Sequence, residues 1–169
     1  MNKKRLLSFV AITLLLLSVL SCKSDEKSPT EQIRSVLGRF HESLGSVRFY
    51  RSDVPIGEEG YTDQGMIASL LGNGKDYPSE MAGVSEYALL CASQMEICEV
   101  WAVKCRTNSS AKKMHALFEK RRERIGKLDY ESETDTVAAK NARVAIDGKY
   151  VYFAAAEDAE RIIDLLLEE

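Results

Sequence analysis

Apolar residues recur along this chain in patterns that predict most of its elements. From Ser28 the spacing is helical, with Ile33, Val36, Leu37, Phe40 and Leu44 three or four positions apart on a single stripe. Ser28 reads as the N-cap, Pro29 occupies the first helical position, where a missing N–H costs nothing, and Glu31 stands where it closes a capping box. Gly45 ends the helix. Val47 to Tyr50 reads as a short edge strand, and Asp63 as the cap of a helix carrying Met66, Ile67, Leu70 and Leu71 before Gly72. Tyr87 to Ala92 and Val100 to Val103 are apolar on both faces, as central strands are, and Ser93 to Glu99 between them makes a hairpin. Asn108-Ser109-Ser110 supplies an N-cap for a helix whose buried edge is Met114, Leu117, Phe118, Arg121 and Ile125, ending at Gly126.

Asp129 to Thr136 reads as an acidic linker. Beyond it, Ala142 to Ile146 and Tyr150 to Ala154 flank Asp147-Gly148, a two-residue turn that wants positive φ. That turn sets a register with Val144 opposite Val151 and Ala142 opposite Phe153 on the core side. On the less buried side Ala145 faces Tyr150, and Arg143 faces Tyr152 as a cation–π pair. A last helix, Asp158 to Glu168, packs Ala159, Ile162, Ile163, Leu166 and Leu167. The expected fold is α+β: an antiparallel sheet of about four strands from two strand-strand-helix units, with helices on one face, preceded by an N-terminal helix.

The first residues follow a different pattern. Lys3-Lys4-Arg5 precedes an uncharged apolar run from Leu6 to Leu20, shorter than the ~20 residues of a permanent membrane-spanning helix and so read as the hydrophobic region of a secretory signal. Val19-Leu20-Ser21-Cys22 then fits a lipoprotein signal, with an aliphatic residue three before the cysteine and a small one directly before it. Leu20 is bulkier than usual in that box, and an uncleaved signal anchor is the alternative. The expected organisation is a signal peptide at 1–21, a tether at 22–27 beginning with a lipidated Cys22, and one α+β domain at 28–169. The diacylglyceryl group, with palmitate-type acyl chains, would hold the protein to the cell membrane on its extracytoplasmic side.

Charge narrows the partners. The chain carries −3, and without Lys3, Lys4 and Arg5 the mature part is near −6, which argues against nucleic acid and against polybasic adhesion to anionic lipid. The basic helix face of Lys112, Lys113, Lys120, Arg122 and Arg124 is read as solvated surface. Cys91, Cys98 and Cys105 are spaced seven and seven, which matches neither a zinc knuckle nor C-x-x-C. A Cys91–Cys98 bridge across the hairpin is one reading; buried free thiols, favoured by the apolar neighbours Leu90, Ala92 and Ile97, are the other. His41 and His115 sit on helices without a nucleophile or metal-ligand pattern around them. Gly72-Asn73-Gly74-Lys75 lacks the upstream glycine and Lys-Ser/Thr ending of a phosphate loop. No cofactor or metal motif is present.

The run from Glu86 to Lys104, the helix beginning Ser109-Ser110-Ala111, and Gly148-Lys149-Tyr150-Val151-Tyr152-Phe153-Ala154 followed by Glu157-Asp158-Ala159-Glu160 resemble a domain-of-unknown-function family of small membrane-anchored lipoproteins of Gram-positive anaerobes. The resemblance covers most of 30–169. Ala156 stands where that family often has a capping serine, and the family implies no catalytic residues. The expected function is a lipid-anchored extracytoplasmic binding or interaction module whose partner is a protein or a cell-wall polymer. Tyr61, Tyr77, Arg143 and Tyr152 are its candidate binding residues, and no enzymatic constellation is evident. The alternative is a small hydrolase-like enzyme using carboxylates of the irregular 57–83 loop.

Overall fold

A computed structural model describes residues 27–72, 76–92 and 96–169. The expected signal sequence, Cys22, most of the expected tether, and 73–75 of the discounted phosphate-loop motif lie outside these residues. Among the described residues no helix is long and apolar enough to cross a membrane.

The first helix, α1 (Pro29–Leu44), starts as its sequence dictates. Ser28 accepts from the Glu31 amide while the Glu31 carboxylate accepts from the Ser28 amide, and Gly45 ends the helix at φ 64°. The chain turns directly into β1 (Val47–Arg51), crosses a loop, and forms the short α2 (Gln64–Leu70), which Asp63 caps by accepting from the Met66 amide at 2.6 Å. A 3₁₀ turn at Ser79–Gly83 leads into β2 (Val84–Ala92), which pairs with β3 (Glu99–Cys105) as the expected hairpin. Then come α3 (Asn108–Ile125), α4 (Glu133–Asn141), β4 (Arg143–Asp147), β5 (Tyr150–Ala155) and α5 (Ala159–Glu168).

The sheet is antiparallel, with five strands in the order β1-β2-β3-β5-β4. Five replaces the expected four because the short strand at 47 joins the edge of the same sheet. The helices cover both faces, where one was expected. Alternation along each strand shows why: Ala88, Leu90, Val100, Ala102, Tyr152 and Ala154 point toward α1 and α5, whereas Leu89, Trp101, Val103, Val151, Phe153 and Ala155 point toward α2 and α3. A strand apolar at successive positions would expose half its side chains to water if only one face were covered. The second core is aromatic, with Trp101 and Phe118 at 5.8 Å and Phe118 stacked on Phe153 at 5.4 Å.

Four local expectations shift. Thr107, not the 108–110 triplet, caps α3, its hydroxyl accepting from the Ser110 amide. The second half of the acidic linker is the start of α4, which runs on to Asn141 from a Ser132 cap whose hydroxyl accepts from the Asp135 amide. In α5 it is Leu165 that is buried, while Leu167 is 44% exposed. The β4–β5 register is displaced by two, with Val144 opposite Phe153 and Ala145 opposite Tyr152, because the turn residues are Gly148-Lys149. Only Gly148 needs positive φ, at 53°, and a shift of two leaves every side chain on the same face. Arg143 therefore lies opposite Ala154, and its guanidinium donates to the Asn141 and Ala142 carbonyls rather than covering Tyr152.

Candidate functional site

The strand directions give the domain two poles. At one, Lys27 leads into α1, the Tyr150 hydroxyl donates to the Lys27 carbonyl, and Lys27 forms an ion pair with Glu169 at 3.0 Å. At the other, the ends of α1, β2 and β5 meet the starts of β3 and α4. A cavity of about 220 Å³ opens there, lined in part by Ser43, Glu96, Cys98, Thr134, Asp135 and Glu157. Its polar lining is carboxylates and hydroxyls, with no lysine or arginine among the lining residues.

Each wall of this cleft is held by a specific bond. Ala92 donates to the Cys98 carbonyl at 2.8 Å, closing the hairpin, and the Ile97 amide donates to Asp135 Oδ1 at 2.7 Å, tying the hairpin to α4. Asp135 is buried, and that charge-assisted bond offsets part of its desolvation. Asn141 donates to the Glu157 carbonyl at 2.9 Å and so fixes the β5–α5 connection against the end of α4. One residue on from Cys98, facing the other side of the sheet, lies a buried ion pair. Glu99 accepts from the Trp101 indole at 2.6 Å and from Arg121 Nη2 at 2.7 Å and Nε at 3.2 Å. One α3 turn further on, the Arg124 guanidinium donates to the Leu70 and Gly72 carbonyls, satisfying groups that the end of α2 leaves open.

The cysteines do not bridge. In the register Cys91 is opposite Glu99 while Cys98 follows Ala92 across the hairpin, so the two thiols leave opposite faces of the sheet, Cys91 beside the α3 core and Cys98 in the α1 core. All three thiols are free. Burial pushes Cys98 up to about 12 and Cys91 up to about 11, so neither is a thiolate nucleophile near neutral pH. Among the described residues no group of three or more His, Cys, Asp or Glu is arranged to hold a metal.

The four candidate binding residues do not converge. Tyr152 is buried, its oxygen accepting from the Gln32 amide at 3.0 Å, and burial pushes its phenol up to about 12. Tyr61 and Tyr77 belong to the other face. Burial first, and the nearness of Tyr77 and Tyr61 as well, raise the Tyr87 phenol. Arg143 is on the β4 edge, in a shallow pocket with Asp158 and Glu160. In the 57–83 loop, Asp63 is engaged as a helix cap, and Glu58, Glu59 and Asp76 are exposed. His41 is on α1 and His115 on α3, on opposite sides of the sheet. The cleft residues Glu96, Thr134 and Asp135 had no sequence signal except the Ser132-x-x-Asp135 spacing of a helix cap.

Comparison with known protein families, with curated proteins and with solved structures finds no match.

Proposed function

We propose that the protein is a lipid-anchored binding module on the outer face of the cytoplasmic membrane, with the polar cleft as its binding element. The reading of the anchor rests on Lys3-Lys4-Arg5, the apolar run after it, Val19-Leu20-Ser21-Cys22, and the resemblance to small lipoproteins. One observation carries the assignment of the cleft: Lys27, five residues past Cys22, and the cleft lie at opposite ends of α1. Sixteen helical residues separate those ends by about 24 Å. A domain tethered at one pole would thus hold the cleft away from the lipid, open to a solute, a cell-wall polymer or a protein. Carboxylates and hydroxyls without a lysine or arginine suit a polyhydroxylated or amine-bearing ligand and repel an anionic one.

The test has two arms. Cys22→Ser should leave an unprocessed precursor and abolish labelling by a fatty-acid analogue; equal labelling of variant and wild type sinks the anchor. Thr134→Trp, at an exposed lining position, should fill the cleft without touching the core and remove material that co-purifies with the native protein from membranes. Unchanged recovery of that material by the folded variant sinks the cleft as the binding element.

A further inference from the structure

The outer edge of β1 has a second, separate character. β1 is an edge strand, and its backbone alternates between partners. Ser52 donates to the Tyr87 carbonyl within the sheet, whereas the preceding Arg51 amide turns outward and donates to the Gly60 carbonyl. Continuing that alternation, Val47 and Phe49 also present their amides and carbonyls outward. Gly60 approaches the Phe49 carbonyl so closely that a Cβ there would lie 2.9 Å from it, so the loop covers the Arg51 amide and the Phe49 carbonyl, while among the described residues the Phe49 amide and the outward groups of Val47 stay open.

The charged side chains of this strand, Arg48 and Arg51, are both basic, in a chain that is acidic overall. Two guanidiniums lie near the Phe49 ring, Arg34 from α1 at 6.0 Å and Arg51 at 5.9 Å from its centre. Arg48, opposite Cys91, emerges on the other sheet face and is exposed. Arg51 reaches Asp53 at 3.3 Å; among the described residues neither Arg34 nor Arg48 has a carboxylate partner in an ion pair. A groove of about 610 Å³ runs beside Val47 to Arg51, and Glu59 is its one acidic lining residue.

We propose that this edge docks an acidic, extended segment of a partner protein as a sixth strand. An added strand presents successive side chains to alternate faces. Guanidiniums on both faces of the edge therefore fit carboxylates on both faces of the guest, while the outward amide and carbonyl of Val47 and the Phe49 amide supply main-chain hydrogen bonds and the Phe49 ring a floor. This site lies on the sheet edge, apart from the cleft, and does not depend on the anchor.

The experiment measures fluorescence anisotropy of a labelled peptide of about eight residues, in which pairs of valines alternate with pairs of glutamates so that carboxylates fall on both faces, against the detergent-solubilised full chain. Three probes are compared: this peptide, its valine–lysine counterpart, and a fully N-methylated valine–glutamate version. The acidic peptide should bind, the lysine peptide should not, and the N-methylated one, which cannot donate to the edge, should lose binding. The double substitution Arg34→Glu with Arg48→Glu, both at exposed positions, should weaken binding about tenfold, as expected for two lost partly exposed charge pairs, with an unchanged melting temperature. Equal binding of the lysine peptide overturns the charge argument, and equal binding of the N-methylated peptide overturns strand addition. A wild-type dimer in sedimentation that the double variant abolishes would overturn the proposal in favour of a second copy of the chain.

Discussion

Replacing Arg121 by methionine tests its buried ion pair with Glu99. Glu99 has a side chain only 5% exposed, and Arg121 supplies two of its three hydrogen bonds. Removing the guanidinium leaves a buried carboxylate with the Trp101 indole alone, and stranding one member of a buried pair costs about 3–5 kcal/mol. Glu99→Gln is a different loss. The amide oxygen still accepts from Trp101, and the stranded guanidinium, with a side chain 16% exposed, can recruit water, so about 1–2 kcal/mol is expected. At roughly 3–4 °C per kcal/mol for a domain of this size, Arg121→Met should lower Tm by about 10–20 °C and Glu99→Gln by about 3–8 °C. The double variant should be more stable than the sum of the two implies, with a coupling of about 1–3 kcal/mol. Differential scanning calorimetry of the four proteins at pH 7 measures all of this. A Tm for Arg121→Met within a few degrees of wild type would refute the reasoning, because it would mean that Glu99 reaches water without its partner.

Two further predictions concern strain and alkaline pH. Gly57, Gly60 and Gly148 all have positive φ, but only at Gly60 does an added Cβ meet backbone, so Gly60→Ala should cost about 2–3 kcal/mol and the other two alanines about 1 kcal/mol each; thermal melts with Gly148→Ala as the worst of the three would contradict the loop geometry. The Cys98 thiol is raised from 9.0 to about 12 by burial, so its neutral form favours the folded state; that contribution is intact below about pH 9 and is lost as pH rises toward 12, by at most ~1.4 kcal/mol per pH unit. Urea unfolding at pH 8 and 10.5 should therefore show a smaller alkaline loss for Cys98→Ala than for wild type, and equal losses would show the thiol is not desolvated.

Caps and periodicity made most of the architecture legible. Ser28, Pro29 and Glu31 fixed the start of α1, Asp63 fixed α2, and the doubly apolar runs at 87 and 100 already implied cover on both sheet faces, although the expected layout drew only one. Position 121 was placed on the buried edge of its helix, yet nothing in a linear pattern could pair it with Glu99, which looked like the end of a polar loop. The α4 helix was missed because Val137, Ala138 and Ala139 are too small and too few to make a stripe, and only its Ser132 cap spoke for it. The cleft is assembled from the ends of elements distant in sequence, and such junctions carry no periodicity. The binding quartet failed for a related reason: residue type suggested tyrosines and an arginine, but burial of Tyr152 and the backbone bonds of Arg143 engage them elsewhere.

The sheet order also dictates a timetable. β2 and β3 form a local hairpin, and so do β4 and β5, but the two halves meet only where β3 pairs with β5 across a gap that includes α3 and α4. As the chain emerges, β3 is complete long before β5 exists, and its outer edge, Val100-Trp101-Ala102-Val103, has no strand to bond until Tyr150 to Ala155 arrive. An apolar, unpaired edge of that kind invites pairing with other chains. The nascent protein therefore needs either a holding factor on β3 or a late collapse in which both hairpins close at once, and slow dilution from denaturant should give a better yield of monomer than rapid dilution at high concentration.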